Sequence, residues 1–425
     1  MADFRARAFA VARRQTRGRL ALSLLLFALT RSGAVTQADE WPQFRGPSGQ
    51  GHSAESGLPI AWSESRNVMW KTPVPGRGWS SPVVAGGRVW VTTSVNEKGA
   101  SLRAVAFDAA SGREVVNVEV FRLRSAELTN PKNSHASPTP IVEGDRVYVH
   151  FGAEGTAALT LSGEMVWKAR FPYESQHGNG GSPVLYGDLL IFSCDGSNEA
   201  FVVAVDKRTG KVRWKTSRRQ PWDQAYSTPL VIRVGDRDEL VSVGAYRAAA
   251  YDPQTGKEIW RVGYADGFSN VPRPVFGHGL VYIATGFQQP SLLAVRADGA
   301  GDVTKTHIAW TLTRGAPLTP SPLLVGDELF VVNDGGIASC LDAKTGATNW
   351  VQRLGGAFSA SPVFADGRIY FLSEEGASIV LAPGREFRKL AESTLDGAIL
   401  ASMAVSEGSI FIRTNSHLYR LAQHN

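Results

Sequence analysis

From residue 80 onward the chain repeats one arrangement of apolar and polar positions. A small residue and a proline open it, a short apolar strand follows, a glycine turn reverses the chain, and a second apolar strand runs back. Ser81-Pro82-Val83-Val84, then Gly86-Gly87, then residues 88–93 form the first copy. Later copies open at Ser137-Pro138, Ser182-Pro183, Thr228-Pro229, Arg273-Pro274, Ser321-Pro322 and Ser361-Pro362, and Ser402-Met403 opens a degenerate eighth. The steps between the second residues of these pairs are 56, 45, 46, 45, 48, 40 and 41. Apolar residues recur at every second position, as in Val89-Val91 and Val147-Val149, which is the period of a strand. No convincing helix is predicted in 39–425.

Each copy has a second half. A third strand ends in Asp, a turn follows, and a fourth strand carries Trp. Asp206 to Gly210 with Trp214, Asp252 to Gly256 with Trp260, and Asp342 to Gly346 with Trp350 are the clearest cases. Gly163 with Trp167 keeps the spacing, whereas Asp108 to Gly112 is followed by Val116. Asp accepts hydrogen bonds from the backbone just ahead of it, and Gly supplies positive φ. The recurring Trp residues, with Trp70 and Trp310, are therefore assigned to packing between repeats.

Four short strands repeated radially make a propeller blade. The fold class expected is all-β, an eight-bladed β-propeller of four-stranded blades, with seven blades as the alternative because the last two repeats are weak. The eighth repeat stops one strand short at Asn425, and residues 67–71 resemble the missing Trp-bearing strand. Pairing an N-terminal strand with the C-terminal blade would close the ring and leave no free strand edge there.

The basic residues Arg5, Arg7, Arg13, Arg14, Arg17 and Arg19 precede an apolar run over residues 20–29 and a small-residue stretch ending at Ala38. This is the pattern of a secretory signal, and the run is shorter than the roughly 20 residues a membrane span needs. Residues 1–38 are read as a signal peptide and 39–425 as one propeller domain. Within that domain, 39–66 is an extension and 67–72 the closing strand. The expected location is periplasmic or secreted, without stable membrane insertion once the signal is cleaved, and the expected state is a monomer.

The formal charge of +6 resides in that leader, which holds seven Arg and one acid, Asp3 (7 − 1 = +6), so the remainder is neutral. A neutral ring gives no reason to expect nucleic acid as a partner. Cys194 and Cys340 fall in repeats far apart and are expected to be two separate buried thiols. The eight His residues show no metal-ligand spacing, and neither a nucleophile elbow nor a phosphate loop is present. No catalytic or metal residue is assigned.

The segments entering each first strand share one mouth of the channel with the loops joining strands two and three. In repeats one to five they carry Arg77, Trp79, Asn133, His135, His177, Asn179, Trp222, Asp223, Tyr226 and Asn270. Repeats six to eight offer mostly small residues there: Thr319, Ala357, Phe358 and Ala398. Aromatic and convergent polar groups on one side suit a small-molecule or peptide site. Closing the channel or capping strands is the competing role for the same residues.

The small-Pro-strand-Gly-strand unit followed by Asp-x-x-Thr-Gly-x-x-x-Trp resembles the repeat of pyrroloquinoline quinone (PQQ) dehydrogenases. It is also similar to BamB, the outer-membrane assembly lipoproteins. The opening Trp41-Pro42-Gln43-Phe44-Arg45-Gly46-Pro47, then Trp62, Trp70-Lys71 and residues 76–82, is similar to PQQ-binding-like propeller proteins of bacterial envelopes. The resemblance spans about residues 41–422. The dehydrogenases use adjacent cysteines, a calcium-ligating set and an Asp base, and this chain has no Cys-Cys and no motif on which to place the rest. Nor does it have the lipidated cysteine of the assembly proteins. Shared architecture is not shared chemistry. The resemblance implies an exported, non-catalytic binding or scaffold protein without cofactor, whose partner is an envelope protein, a peptide or a glycan. A PQQ-dependent oxidoreductase with calcium and an atypical site is the alternative.

Overall fold

The computed structural model describes residues 40–96, 100–123, 129–218 and 224–423. The leader assigned to residues 1–38 lies outside them, as do Trp222 and Asp223. The chain forms eight sheets in ring order, each built on four antiparallel strands, so the seven-bladed alternative is excluded. Blade one comprises Val83–Ala85, Arg88–Asn96, Ala100–Asp108 and Glu114–Leu123. Blade eight comprises Ala404–Ser406, Ser409–Arg413 and His417–Leu421, completed by the N-terminal strand Val68–Pro73. That strand pairs antiparallel with His417–Leu421, matching Lys71 with Tyr419 and Pro73 with His417. The only helical element among the described residues is one 3-10 turn, Gly152–Glu154.

The Trp and Gly of the repeat form one stitch between neighbouring blades. Trp214 donates its indole N–H to Pro253 O at 3.0 Å, and its ring covers Gly256 of the next blade. Trp70, Trp167, Trp310 and Trp350 make the same bond to Ala109, Lys207, Ala343 and Gly384 at 2.9–3.1 Å. Gly112, Gly210 and Gly346 lie under the first three of these rings, where a Cβ would fall within 2.7 Å of indole carbons. The turn glycine is thus needed both for its positive φ and for the ring of the preceding blade. Opposite the Trp, the third strand carries a small residue: Ala158, Ala204, Ala250, Ala294 and, in blade six, Cys340. Cys340 and Cys194 are buried free thiols in separate blades.

One stitch departs from the rule. Trp260 donates to Glu239 Oε2 of its own blade at 2.7 Å. Residues Gly301–Asp302, inserted into the turn of the next repeat, add a fifth, parallel strand to blade four. Val303 and Ala297 of this insertion belong to the apolar cluster around Trp260, whose ring is fully buried.

A belt of hydroxyl groups circles the channel at the small residue before each first strand. Ser81 N–H donates to Thr139 Oγ1, Thr139 to Ser182, Ser182 to Thr228, Arg273 to Ser321, Ser321 to Ser361, Ser361 to Ser402 and Ser402 back to Ser81, all at 2.9–3.1 Å. At the remaining step Arg273 replaces the hydroxyl and reaches Pro229 O with Nε at 3.1 Å. The belt corrects the expected opening of the second repeat. Thr139-Pro140, not Ser137-Pro138, precedes strand Ile141–Glu143. The sequence Ser-Pro-Thr-Pro offers two overlapping matches, and only Thr139 reaches the neighbouring blade.

Residues 40–66 close one end of the channel. Trp41 exchanges two backbone bonds with Val84 of blade one, and Pro42 O accepts from Val142 of blade two. Gln50 Oε1 accepts Phe276 N of blade five, and Gly51 and Ser53 pair with Phe364 of blade seven. Glu55 accepts the amides of Glu407 and Gly408 in the blade-eight turn. These contacts lie on the short first strands and, at Glu407 and Gly408, in the turn that follows one, so the plugged end is opposite the mouth where the entering segments gather. Leu58 and Trp62 then pack into the cluster shared by blades seven, eight and one.

Candidate functional site

The entering segments and the second-to-third-strand loops do share a mouth. Arg77 and Ser94 exchange backbone bonds at 2.8 Å, and Asp334 accepts from the amides of Leu318 and Thr319 and from Thr319 Oγ1. Between them opens a cavity of about 450 Å³. Its wall is the hydroxyl belt, and Phe44 of the plug reaches it from the closed end. Trp79, Tyr226, Phe268 and Phe287 supply aromatic surface from blades one, four and five, while Leu318, Ser359, Leu400 and Ala401 supply the opposite wall.

The aromatic side continues onto the rim. Phe268 packs edge-on to Phe287 at 5.7 Å and lies 6.2 Å from Tyr246, and His177 lies 6.4 Å from Tyr226. Phe287 is 54% exposed and, with Phe268, forms an aromatic shelf on the rim. Tyr246, Ser269 and Gln288, which bracket this shelf, hold φ of +59°, +53° and +77°. Left-handed backbone at non-glycine residues costs on the order of 1–3 kcal/mol each and concentrates at binding and switching sites.

A strap crosses the mouth. Residues 129–133 are hydrogen-bonded to the His177 carbonyl through Asn130 N–H at 3.4 Å and Asn133 Nδ2 at 2.8 Å. Arg77 Nη2 donates to Pro131 O at 2.7 Å. Lys132 reaches from this blade-two segment to Glu374 of blade seven, with Nζ 2.7 Å from Oε1, and Ser359 Oγ donates to the same oxygen.

Of the ten candidate residues, Trp79, Asn133, His177 and Tyr226 line the cavity. Arg77 stands outside it and secures the strap. His135 is half-buried and does not line the cavity. Asn179 accepts from the Tyr173 hydroxyl, and Asn270 is fully buried with its carbonyl accepting Tyr226 N–H at 2.7 Å. Trp222 and Asp223 lie outside the described residues. The sequence reading missed Phe44, Phe287 and Lys132. Phe44 stands in a single-copy segment, and Phe287 in a loop whose curvature no periodicity encodes.

Few charges face the cavity. Among the described residues its charged lining is Lys132, paired with Glu374, and Asp334, whose carboxylate is spent on three donors. Tyr226 is pushed above the ordinary phenol range, first by burial and then by the charge of Asp195. No group of three or more His, Cys, Asp and Glu able to hold a metal occurs among the described residues. A PQQ-calcium pair needs cations for its carboxylates and oxygen ligands for the metal, and these residues do not fit it.

The chain is 32% identical over 108 residues to the outer membrane protein assembly factor BamB of Burkholderia pseudomallei, covering 25% of this chain and 28% of that one. It is 29% identical over 182 residues to the lanthanide-dependent methanol dehydrogenase of Methylorubrum extorquens, covering 36% and 30%. The chain thus spans under a third of the length of either. The crystal structure of BamB from Moraxella catarrhalis superposes with a TM-score of 0.59 at 13% identity, covering 83% of this chain and 99% of that one, a likeness of fold. Residues 52–243 and 244–392, most of the ring, match the profile of the outer membrane protein assembly factor BamB family, and the chain belongs to that family.

Proposed function

We propose that this chain is an exported, non-catalytic scaffold of the bacterial envelope. Its open mouth holds an uncharged apolar or aromatic side chain presented by a polypeptide segment of another envelope protein. The observation that carries this reading is the cavity of about 450 Å³, closed below by the plug and flanked by the exposed Phe268–Phe287 shelf. Rigid aromatics around a desolvated pocket, with a polar rim, are what anchors of protein interfaces require. Relatives named as outer membrane assembly factors support a protein partner. Among the described residues no helix is long and apolar enough to cross a membrane, in keeping with action in the periplasm after removal of the leader.

The test is co-purification from cross-linked envelopes carrying the wild-type chain, Trp79→Ala or Phe287→Ala. Each substitution is expected to reduce a specific partner band at least tenfold while circular dichroism stays unchanged. Undiminished recovery with both variants refutes the mouth as the binding surface. Addition of PQQ with calcium is expected to leave no bound quinone absorbance, and saturable binding with dye-linked turnover refutes the scaffold reading.

A further inference from the structure

The wall of the cavity carries hydrogen-bond donors that the protein itself does not use. Near the mouth, hydroxyl groups find acceptors. Ser137 donates to Asn133 Oδ1, Thr319 to Asp334 Oδ1 and Ser359 to Glu374 Oε1, each at 2.6 Å. At the belt they do not. The hydroxyl oxygens of Ser81, Thr139, Ser182, Thr228, Ser321 and Ser402 each accept a backbone amide from a neighbouring blade. Among the described residues none of the six has an acceptor for its own proton, and Ser361 alone donates within the belt, to Ser321 at 3.0 Å. All six line the cavity and are otherwise buried, at 2–4% exposure.

The ligand that suits this wall is uncharged. Lys132 is paired with Glu374, and Asp334 already accepts from three donors, so the lining offers a charged ligand no counter-charge. Nor is the ligand wholly apolar. An apolar group at the belt would separate its hydroxyls from water and give them no acceptor in return, which is costly for a buried donor. A group bearing hydroxyls replaces hydrogen bonds to water in kind. Each belt hydroxyl other than those of Ser321 and Ser361 has a proton and a lone pair still to place, so it can donate to such a group and accept from it.

Aromatic surface stands beside these hydroxyls. Trp79, Tyr226 and, from the plug, Phe44 line the same cavity, and the C–H faces of a pyranose ring are apolar surface to bury against them. The volume of about 450 Å³ is that of a small-molecule site and accommodates a disaccharide. We propose that the cavity binds a neutral saccharide at the belt, its hydroxyls bonded to the ring of Ser and Thr and its C–H faces laid on the aromatic side. This ligand sits deeper than the side chain anchored at the rim and does not depend on it.

The test is calorimetric titration of the purified chain with maltose, cellobiose and diacetylchitobiose. At least one is expected to bind saturably, one molecule per chain. Thr228→Val removes a belt hydroxyl at nearly constant shape and is expected to weaken binding about fivefold, whereas Thr228→Ser, which keeps the O–H, should retain it. Leu400→Trp adds bulk from the opposite wall without touching a belt hydroxyl, and is expected to abolish binding with the melting temperature held, which serves if the Val variant does not fold. No saturable binding of any of the three sugars at millimolar concentration overturns the proposal. So does binding that neither Thr228→Val nor Leu400→Trp alters. Because no partner protein is present, the result is independent of the co-purification. Partner capture indifferent to Trp79→Ala and Phe287→Ala, with sugar binding intact, would remove the rim reading and leave this one standing.

Discussion

Replacing Trp70 with Ala asks how much of the ring depends on its borrowed strand. Trp70 sits on Val68–Pro73, the N-terminal strand of blade eight. Its indole lies over Gly112 of blade one, 6.0 Å from Phe411, and donates to Ala109 O at 3.0 Å. One side chain therefore joins the first residues of the propeller to the last blade and the last blade to the first. Truncating a core aromatic to Ala costs about 3–5 kcal/mol, and the half-buried ring of Trp70 belongs at the low end. The lost hydrogen bond is a part of that, about 1 kcal/mol, because Arg420 also donates to Ala109 O. The expected destabilisation is about 3 kcal/mol, while Trp70→Phe, which keeps most of the ring, should cost about 1 kcal/mol. Urea unfolding followed by fluorescence and by circular dichroism measures both. Trp214→Ala, the same stitch within the continuous chain, is the reference. If Trp70→Ala cost under about 1 kcal/mol while Trp214→Ala cost the full amount, the borrowed strand would not be what closes the ring.

Other outcomes follow from the same geometry. Gly256→Ala forces a side chain into left-handed backbone at φ +70° and into the Trp214 ring, and is expected to lower stability by about 2–4 kcal/mol in the same urea assay. His150 is buried against Phe192, and desolvation depresses its pKa to about 3. Its unfolded form binds a proton below pH 6.5 while the folded form does not, so stability falls as pH drops through that window. The expected loss is about 2 kcal/mol between pH 6.5 and 5, and His150→Asn should flatten the thermal-unfolding profile over that range. Lys132→Ala removes an exposed ion pair worth under about 1 kcal/mol, so the melting temperature should hold. Amide exchange at Asn130 and Asn133 should nonetheless quicken severalfold, and unchanged exchange would show that the Lys132–Glu374 contact does not hold the strap.

The fold was legible because its determinants recur. Asp, Gly and Trp return at fixed offsets, and a strand resembling the one the eighth repeat lacks is present at the N-terminus. Where a signal doubled, as in Ser137-Pro138-Thr139-Pro140, the register slipped by two residues. The plug was not legible, since each of its contacts occurs once and several join segments hundreds of residues apart, as Arg45 does with Pro322. At the mouth, repeat position told which loops gather there but not which side chains turn inward. Asn270 and Asn179 have the chemistry of binding residues, yet one is buried beside Tyr226 and the other meets Tyr173, away from the cavity. Phe287, with ordinary chemistry, stands open on the rim.

A photo-crosslinking residue at position 287, compared with one at position 212 on the outer strand of blade three, tests the mouth most directly. Both sites are exposed, at 54% and 53%, so reactivity alone does not separate them. The expected result in intact envelopes is one discrete adduct from position 287, abolished by Trp79→Ala, and none from position 212. An adduct from the outer strand with none from the mouth would contradict the account.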